Sequence, residues 1–526
     1  MVSLKNIQQS QENSKALSTL NAELFTAKIK TKQNSPIKLI DPKKYLKEQT
    51  RPKDAIKNHL TKNLFQDIKY SKIKNKTKIK VMANISIFSI IFIIILNFPK
   101  CYNLRLNSQI SSNLNEVTLK VSGTGNNIQI LGTYFNYTPF QILINEASID
   151  FNNSDYHYIN ITEDGSIITL QWNQTIKNAI QMFKSCSKII EINMTKFNTS
   201  SVTSMAYMFA GCNSLEILDV SNWDTKKVTA MNSMFDSCSK LESLNLKSFD
   251  TSNVKSFKFM FERCYGLKSL DVSSFNTTIS TSMESMFYAC RELETLNISN
   301  FNTEKVTTMK EMFSSCYKLK SINLQSFDTS NVNNFQKMFY NCSSLSSLNL
   351  FNFKTESVTD MTYMFAYCSS LENLDISNFN TTKVTTMSEM FSNCYKLKSL
   401  NLQHFDTSMV TTFDYMFCRC ELLTSLNLSN FNTKSATNMY RMFYYCNKLE
   451  NLDISNFNTT QVTSMFEMFS FCSKLESLDL RSFDTSNVKN FQGMFYNCTL
   501  LKYIKINHFI TKKATNITGF IQNRSI

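Results

Sequence analysis

The chain has 526 residues, 42% of them hydrophobic and only 18% charged, and its 56 Lys+Arg against 41 Asp+Glu give a formal charge of +15. A single core rarely grows past about 250–300 residues, so this length calls for several domains or a repeat array. Eight Gly and five Pro exclude collagen-like and Pro/Gly-rich disordered chains, and four His leave little for acid–base chemistry.

Residues 1–80 hold most of the excess charge, with 19 Lys/Arg and 6 Asp/Glu. This polar, Lys- and Gln-rich segment is interrupted by Pro36, Pro42 and Pro52, and it reads as a largely disordered basic arm in the cytoplasm. Its last stretch, Lys69–Lys80 (KYSKIKNKTKIK), suits contact with anionic lipid. With one Tyr and no base-stacking pattern it does not suit nucleic acid. Val81–Pro99 (VMANISIFSIIFIIILNFP) is the only long stretch without a charge. As a helix it reaches about 28 Å, close to the ~30 Å hydrocarbon thickness of a bilayer, which predicts one transmembrane signal anchor. Seven Lys in 61–80 face only Lys100, Arg105 and Lys120 across it. That imbalance predicts a single pass with a cytoplasmic N-terminus and the remainder at the cell surface or in a lumen.

In residues 100–175, Val117–Ser122, Ile128–Thr133 and Ile167–Trp172 read as strands, with Gly123-Thr124-Gly125 as a turn. The helix and Lys that would make this turn a phosphate loop are missing. The segment is expected to form a small β-rich cap over the open N-terminal edge of a repeat array.

From residue 176 to 526 one spacing dominates. Thirteen cysteines, from Cys186 to Cys498, recur every 26 residues without insertion or deletion, each preceded by Met-Phe at a constant offset. A Thr recurs in register from Thr199 to Thr511, and the aromatic two residues before it is Phe except at Trp223. In the unit opening at Cys238, the alternation Leu244-Asn245-Leu246 predicts a short strand, and Asp250–Asn253 (DTSN) is turn chemistry. Val254, Phe257, Met260, Phe261 and Cys264 then come at spacings of 3, 3, 1 and 3, which predicts one face of a short helix. The expected fold is therefore an α/β solenoid, a leucine-rich-repeat-like array of about thirteen strand–turn–helix units. A second period of 78 lies above the first: the usual helix-position Met is Phe at 257, 335, 413 and 491.

These repeats carry a resemblance. The motif seen in MFSSCYKLKSINLQSFDTSNV, Met312–Val332, resembles the BspA-like leucine-rich-repeat surface proteins of bacteria and protists, over about 176–521. The resemblance implies a surface protein whose repeats bind or adhere to other macromolecules. The anchor departs from the family's pattern, being N-terminal rather than a bacterial lipid or wall attachment.

One Cys per repeat is the wrong spacing for a metal site, and neighbouring helices would hold these residues too far apart for disulfides. They read as free, buried small hydrophobes. Cys101 and Cys418 fall outside the pattern, and with Cys418 expected to face solvent they are candidates for a covalent dimer. Outward positions on the predicted sheet are Ser243, Asn245 and Lys247; Ser321, Asn323 and Gln325; Ser399, Asn401 and Gln403. A polar, weakly charged face of this kind suits contact with a protein or glycan. Fifteen N-x-S/T sequons lie beyond residue 100, so a glycosylating compartment would add sugar to some. His157, His404 and His508 are isolated, and no catalytic constellation or cofactor motif accompanies them. The functional expectation is a membrane-anchored surface protein presenting its repeats for adhesion or recognition, not an enzyme. A coat component without a dedicated ligand and an intracellular scaffold are the alternatives.

Overall fold

In the computed structural model of the chain, the described residues are 115–150 and 155–521. The basic arm, the predicted span 81–99 and Cys101 lie outside them. Among the described residues no helix is long and apolar enough to cross a membrane, so the expected single-pass anchoring, and the surface or luminal placement derived from it, find no support.

The N-terminal described segment is β-rich. Its strands are β1 (Asn115–Val121), β2 (Gly125–Gln129), β3 (Gln141–Ile144), β4 (Ala147–Ile149), β5 (Tyr158–Ile161) and β6 (Ile167–Trp172). Strand β1 alternates buried and half-buried residues along its whole length, the period-2 pattern of a strand with one face on a core. It pairs antiparallel with β6 on one side. On the other it pairs antiparallel with β7 (Ile189–Asn193), the first strand of the repeat array. The array's first edge is thus closed by backbone hydrogen bonds, which removes an unpaired strand edge. Trp172 joins the two cores: it is fully buried, its indole donates to the Tyr137 carbonyl at 2.7 Å, and its ring meets Phe197 edge-on at 6.5 Å.

Beyond the cap the chain winds as a β-solenoid of about twelve turns. Strand β7 pairs parallel with β8 (Ile217–Asp219), each residue aligned with the one 26 later. Further parallel pairs with the same offset join Ser269–Asp271 to Thr295–Asn297, Ser347–Asn349 to Asn373–Asp375, Ser425–Asn427 to Asn451–Asp453, and Ser477–Leu478 to Tyr503–Ile504. A second ladder of single parallel bridges runs along another edge, from Ser204↔Ala230 to Asn490↔Asn516.

The predicted helix is replaced by a third ladder. Between the bridge and the Cys of each turn, alternate amides reach across to the next turn. Glu311, Phe313 and Ser315 donate to the carbonyls of Gln336, Met338 and Tyr340 at 2.9, 3.0 and 2.7 Å. The amides between them close tight local turns, as Met312 does to Met309 and Cys316 to Phe313, at 3.1 and 3.2 Å. Two residues per turn, four apart, adopt left-handed backbone, for example Glu311 (φ 57°) and Ser315 (φ 62°). A right-handed helix cannot hold such residues, and no helix occurs among the described residues. The α/β, leucine-rich-repeat-like architecture is therefore corrected to an all-β one. Apolar spacings of three fit a helix face and a run of three-residue turns equally well, and the pairing between turns decides between them.

Stacking of identical positions fills the core. Phe183 begins a file of thirteen Phe, one per 26-residue repeat, ending at Phe495; neighbouring centroids are 5.5 to 5.9 Å apart and no pair of planes differs by more than 15°. Such pairs add about 0.5–1.5 kcal/mol each beyond their burial. From Thr199 to Thr485 the recurrent Thr is buried and binds backbone in the next turn. The Thr355 hydroxyl donates to the Asn380 carbonyl at 2.8 Å and accepts from the Asn380 amide at 2.7 Å. The Cys file does likewise, each thiol from Cys212 to Cys498 donating to a Phe carbonyl in the preceding turn, as Cys316 does to Phe287 at 3.2 Å.

The 78-residue period is visible as well. No strand forms in the turns opening at Cys238, Cys316 and Cys394, so the sheet is divided into two-stranded patches, whereas the fourth turn of the period, opening at Cys472, does form one at Ser477–Leu478. Each paired junction carries an Asn or His that bonds back to the earlier turn, such as Asn378 to the Phe351 carbonyl and His508 to Leu480, and Asn352 and Asn430 make the same bond to turns that form no strand. Ser248, Ser326, His404 and Ser482 stand at that position on entry to every third turn.

Candidate functional site

The nine sheet-face residues named from the sequence are all exposed, and they lie in the three turns that form no strand. The triplets are three turns apart, which at ~4.8 Å per turn is about 14 Å, so they form a spaced series rather than one cluster. Each central Asn has a local task. The side-chain oxygens of Asn245, Asn323 and Asn401 accept from the amides of Lys247, Gln325 and Gln403 at 3.3, 3.1 and 3.2 Å. Asp takes the same part in neighbouring turns. Hydrogen bonds from the Ser221 hydroxyl and amide hold the Asp219 carboxyl below the usual carboxylate range. The Arg481 side chain and amide bring Asp479 down to about 2.

One residue on this face escaped the sequence reading. Phe351 is 84% exposed and occupies the position held by Gln325 one turn earlier and by Gln403 two turns later. Its amide is held by Asn349 at 3.0 Å and its carbonyl by Asn378 at 3.1 Å, while its ring has no stacking partner among the described residues. Column-by-column comparison of the repeats marks it, since the equivalent residues in the other turns are polar.

A different face is built by the ladder that replaced the helix, where half-exposed Tyr, Phe and Arg side chains project beside the left-handed positions. The Arg441 guanidinium lies 4.8 to 5.8 Å from the rings of Tyr415, Tyr440, Tyr444 and Phe466, and its Nε donates to Glu467 at 2.6 Å. Arg419 lies 5.2 Å from Tyr445 and 5.9 Å from Tyr395, and its Nε is buried without a hydrogen-bond partner. Farther up the face, burial and the neighbouring Asp236 raise the Glu262 carboxyl to about 7, against the opposing pull of Arg263.

Cys418 is corrected by this arrangement. It is 4% exposed, and burial raises its thiol to about 12, so it offers no solvent-facing sulfur for a covalent dimer. Among the described residues no group of three or more His, Cys, Asp or Glu is placed to hold a metal ion. His157 contacts the carboxylate of Asp155 within the cap, and its other ring nitrogen meets the Phe135 carbonyl at 3.2 Å.

Comparison with curated proteins finds none that matches the chain. Four overlapping segments, 177–295, 266–373, 344–426 and 420–525, match one family and together cover more than half of the sequence. They coincide with the 26-residue turns. The chain belongs to the family described as "Mycoplasma protein of unknown function, DUF285".

Proposed function

We propose that the chain is a non-catalytic recognition solenoid whose polar sheet face binds a glycan around Phe351. The observation that carries this reading is the open ring of Phe351, whose column holds Gln325 in the turn before and Ser377 in the turn after, on a polar face of amides, hydroxyls and interspersed carboxylates such as Asp375. An exposed aromatic plane covers the apolar face of a sugar ring, while Asn, Gln and Ser side chains meet its hydroxyls. The resemblance of the repeats to BspA-like proteins supports a role in recognition or adhesion. The rigid stack beneath favours preorganisation, since binding then orders few additional groups.

The test is a glycan array probed with the full chain, the Phe351→Ser variant and the Gln325→Ala variant. Phe351→Ser is expected to lose at least 10-fold in retention on the best glycan with an unchanged melting temperature, and Gln325→Ala to lose less. Retention indifferent to both substitutions, or no glycan retained at all, overturns the assignment. Retention of a protein ligand that is lost in Phe351→Ser would reassign the face to protein recognition.

A further inference from the structure

We propose that a second face, the aromatic–arginine patch of the turns between Cys394 and Cys498, docks a protein partner by seating one of its carboxylates on Arg419. This is independent of the glycan reading, since it uses other residues on another ladder.

The fold itself does not require aromatic residues here. In the turn opening at Cys212 the equivalent positions are Asn232, Ser233, Asp236 and Ser237; in the turn opening at Cys420 they are Tyr440, Arg441, Tyr444 and Tyr445. Both sets are carried on the same inter-turn hydrogen bonds, so the aromatic set adds something beyond backbone geometry. Half-exposed Tyr and Arg in one patch are the residue types that dominate protein–protein hot spots.

The rings are turned the wrong way for sugar. Tyr440 and Phe466 stack at 4.7 Å with planes 14° apart, and Tyr445 and Phe471 at 4.1 Å with planes 24° apart. Within these pairs the faces cover one another, so edges and Tyr hydroxyls are left for a partner. A protein surface can use those edges, whereas a pyranose needs an open face.

The two arginines show what the patch lacks. Glu467 fills the Nε side of Arg441, while the corresponding Nε of Arg419 has no acceptor. Glu421 acts on Arg419 through charge and Tyr395 through a side-chain hydrogen bond, but neither supplies an acceptor to Nε. Although this Nε is buried, the Arg419 side chain as a whole is half-exposed, and the complement of a guanidinium that a partner can reach is a carboxylate. The partner class is therefore a protein segment carrying Asp or Glu among apolar residues.

The probe is an array of synthetic peptides with a central Glu or Asp flanked by apolar residues, beside the same peptides with Gln or Asn. The full chain is expected to retain acidic members at least 10-fold better than their amide counterparts. Arg419→Gln should abolish that preference, Arg419→Lys should reduce it several-fold, and Phe351→Ser should leave it unchanged. Equal retention of acid and amide peptides, retention unaffected by Arg419→Lys, or no acidic peptide retained would each overturn the proposal. If Arg419→Gln does not fold, Arg419→Lys with an unchanged melting temperature decides. Loss of glycan retention on Arg419→Lys would also overturn it.

Discussion

Replacing Thr355 by Val and by Ser separates hydrogen bonding from apolar burial in the solenoid core. Thr355 is 1% exposed, and its single hydroxyl satisfies both the carbonyl and the amide of Asn380 one turn away, at 2.8 and 2.7 Å. Thr355→Val keeps the shape and adds apolar surface, yet leaves two backbone groups unpaired. Each costs about 1–3 kcal/mol when buried, and since Asn380 is only half-buried the sum should fall near 2–4 kcal/mol. Thr355→Ser keeps the oxygen and loses one methyl group, about 1 kcal/mol. The more apolar variant should therefore be the less stable. In an array stabilised by nearest-neighbour contacts the loss is local first, so the assay is amide hydrogen exchange at Asn380 beside urea unfolding of the full chain. A 2 kcal/mol loss corresponds to exchange on the order of 30-fold faster at that amide. A Ser variant that exchanges as fast as the Val variant, or faster, would show that the Thr355 hydroxyl does not hold the Asn380 backbone.

Three further outcomes rest on the same geometry. Burial raises the ladder thiols, Cys212 and Cys316 to about 12, so a Cys101→Ser chain should resist alkylation at pH 8 and label fully in denaturant. A raised thiol contributes stability that is whole below the unfolded value near 9 and is lost as pH climbs toward 12; the urea midpoint should fall steadily across that interval. Glu262, raised from 4.5 to about 7 by burial and by Asp236, contributes stability that is present below about 4.5 and lost as pH rises through 7. Glu262→Gln should therefore match the parent at pH 4 and exceed it at pH 8, as read by melting temperature.

The 26-residue clock was legible because identical positions stack. Cys, Phe and Thr recur in register since each bonds or packs against its own copy one turn away, so any slip would break several files at once. Leu244-Asn245-Leu246 announced an outward Asn, and the nine sheet-face residues are exposed as read. The helix reading failed for a physical reason: Val254, Phe257, Met260 and Cys264 keep the same spacings in successive three-residue turns. The bonds that distinguish the two run to residues 25 positions away, where a local pattern carries no information. The left-handed positions gave little warning either, because Tyr363, Arg441 and Phe471 occupy them where Gly is customary. Cys418 was misplaced by extension of that error, since an alternation drawn on a helix turns a buried thiol outward. Phe351 and the patch around Arg419 were missed because a repeat pattern is defined by the residues its copies share, and both faces lie in the residues they do not.

Closure of each turn through left-handed residues and inter-turn bonds, rather than a helix, can be read out at Ser185. This exposed residue has φ 66°, and Gly211 holds the equivalent position one turn later at φ 79°. Ser185→Gly and Ser185→Ala should be compared by urea unfolding. The left-handed backbone predicts that Gly is the more stable by about 1 kcal/mol, because Ala keeps a Cβ that this conformation penalises. An Ala variant more stable than the Gly variant by about 1 kcal/mol is the result a helix interior would give, and it would rule out the left-handed backbone at this position.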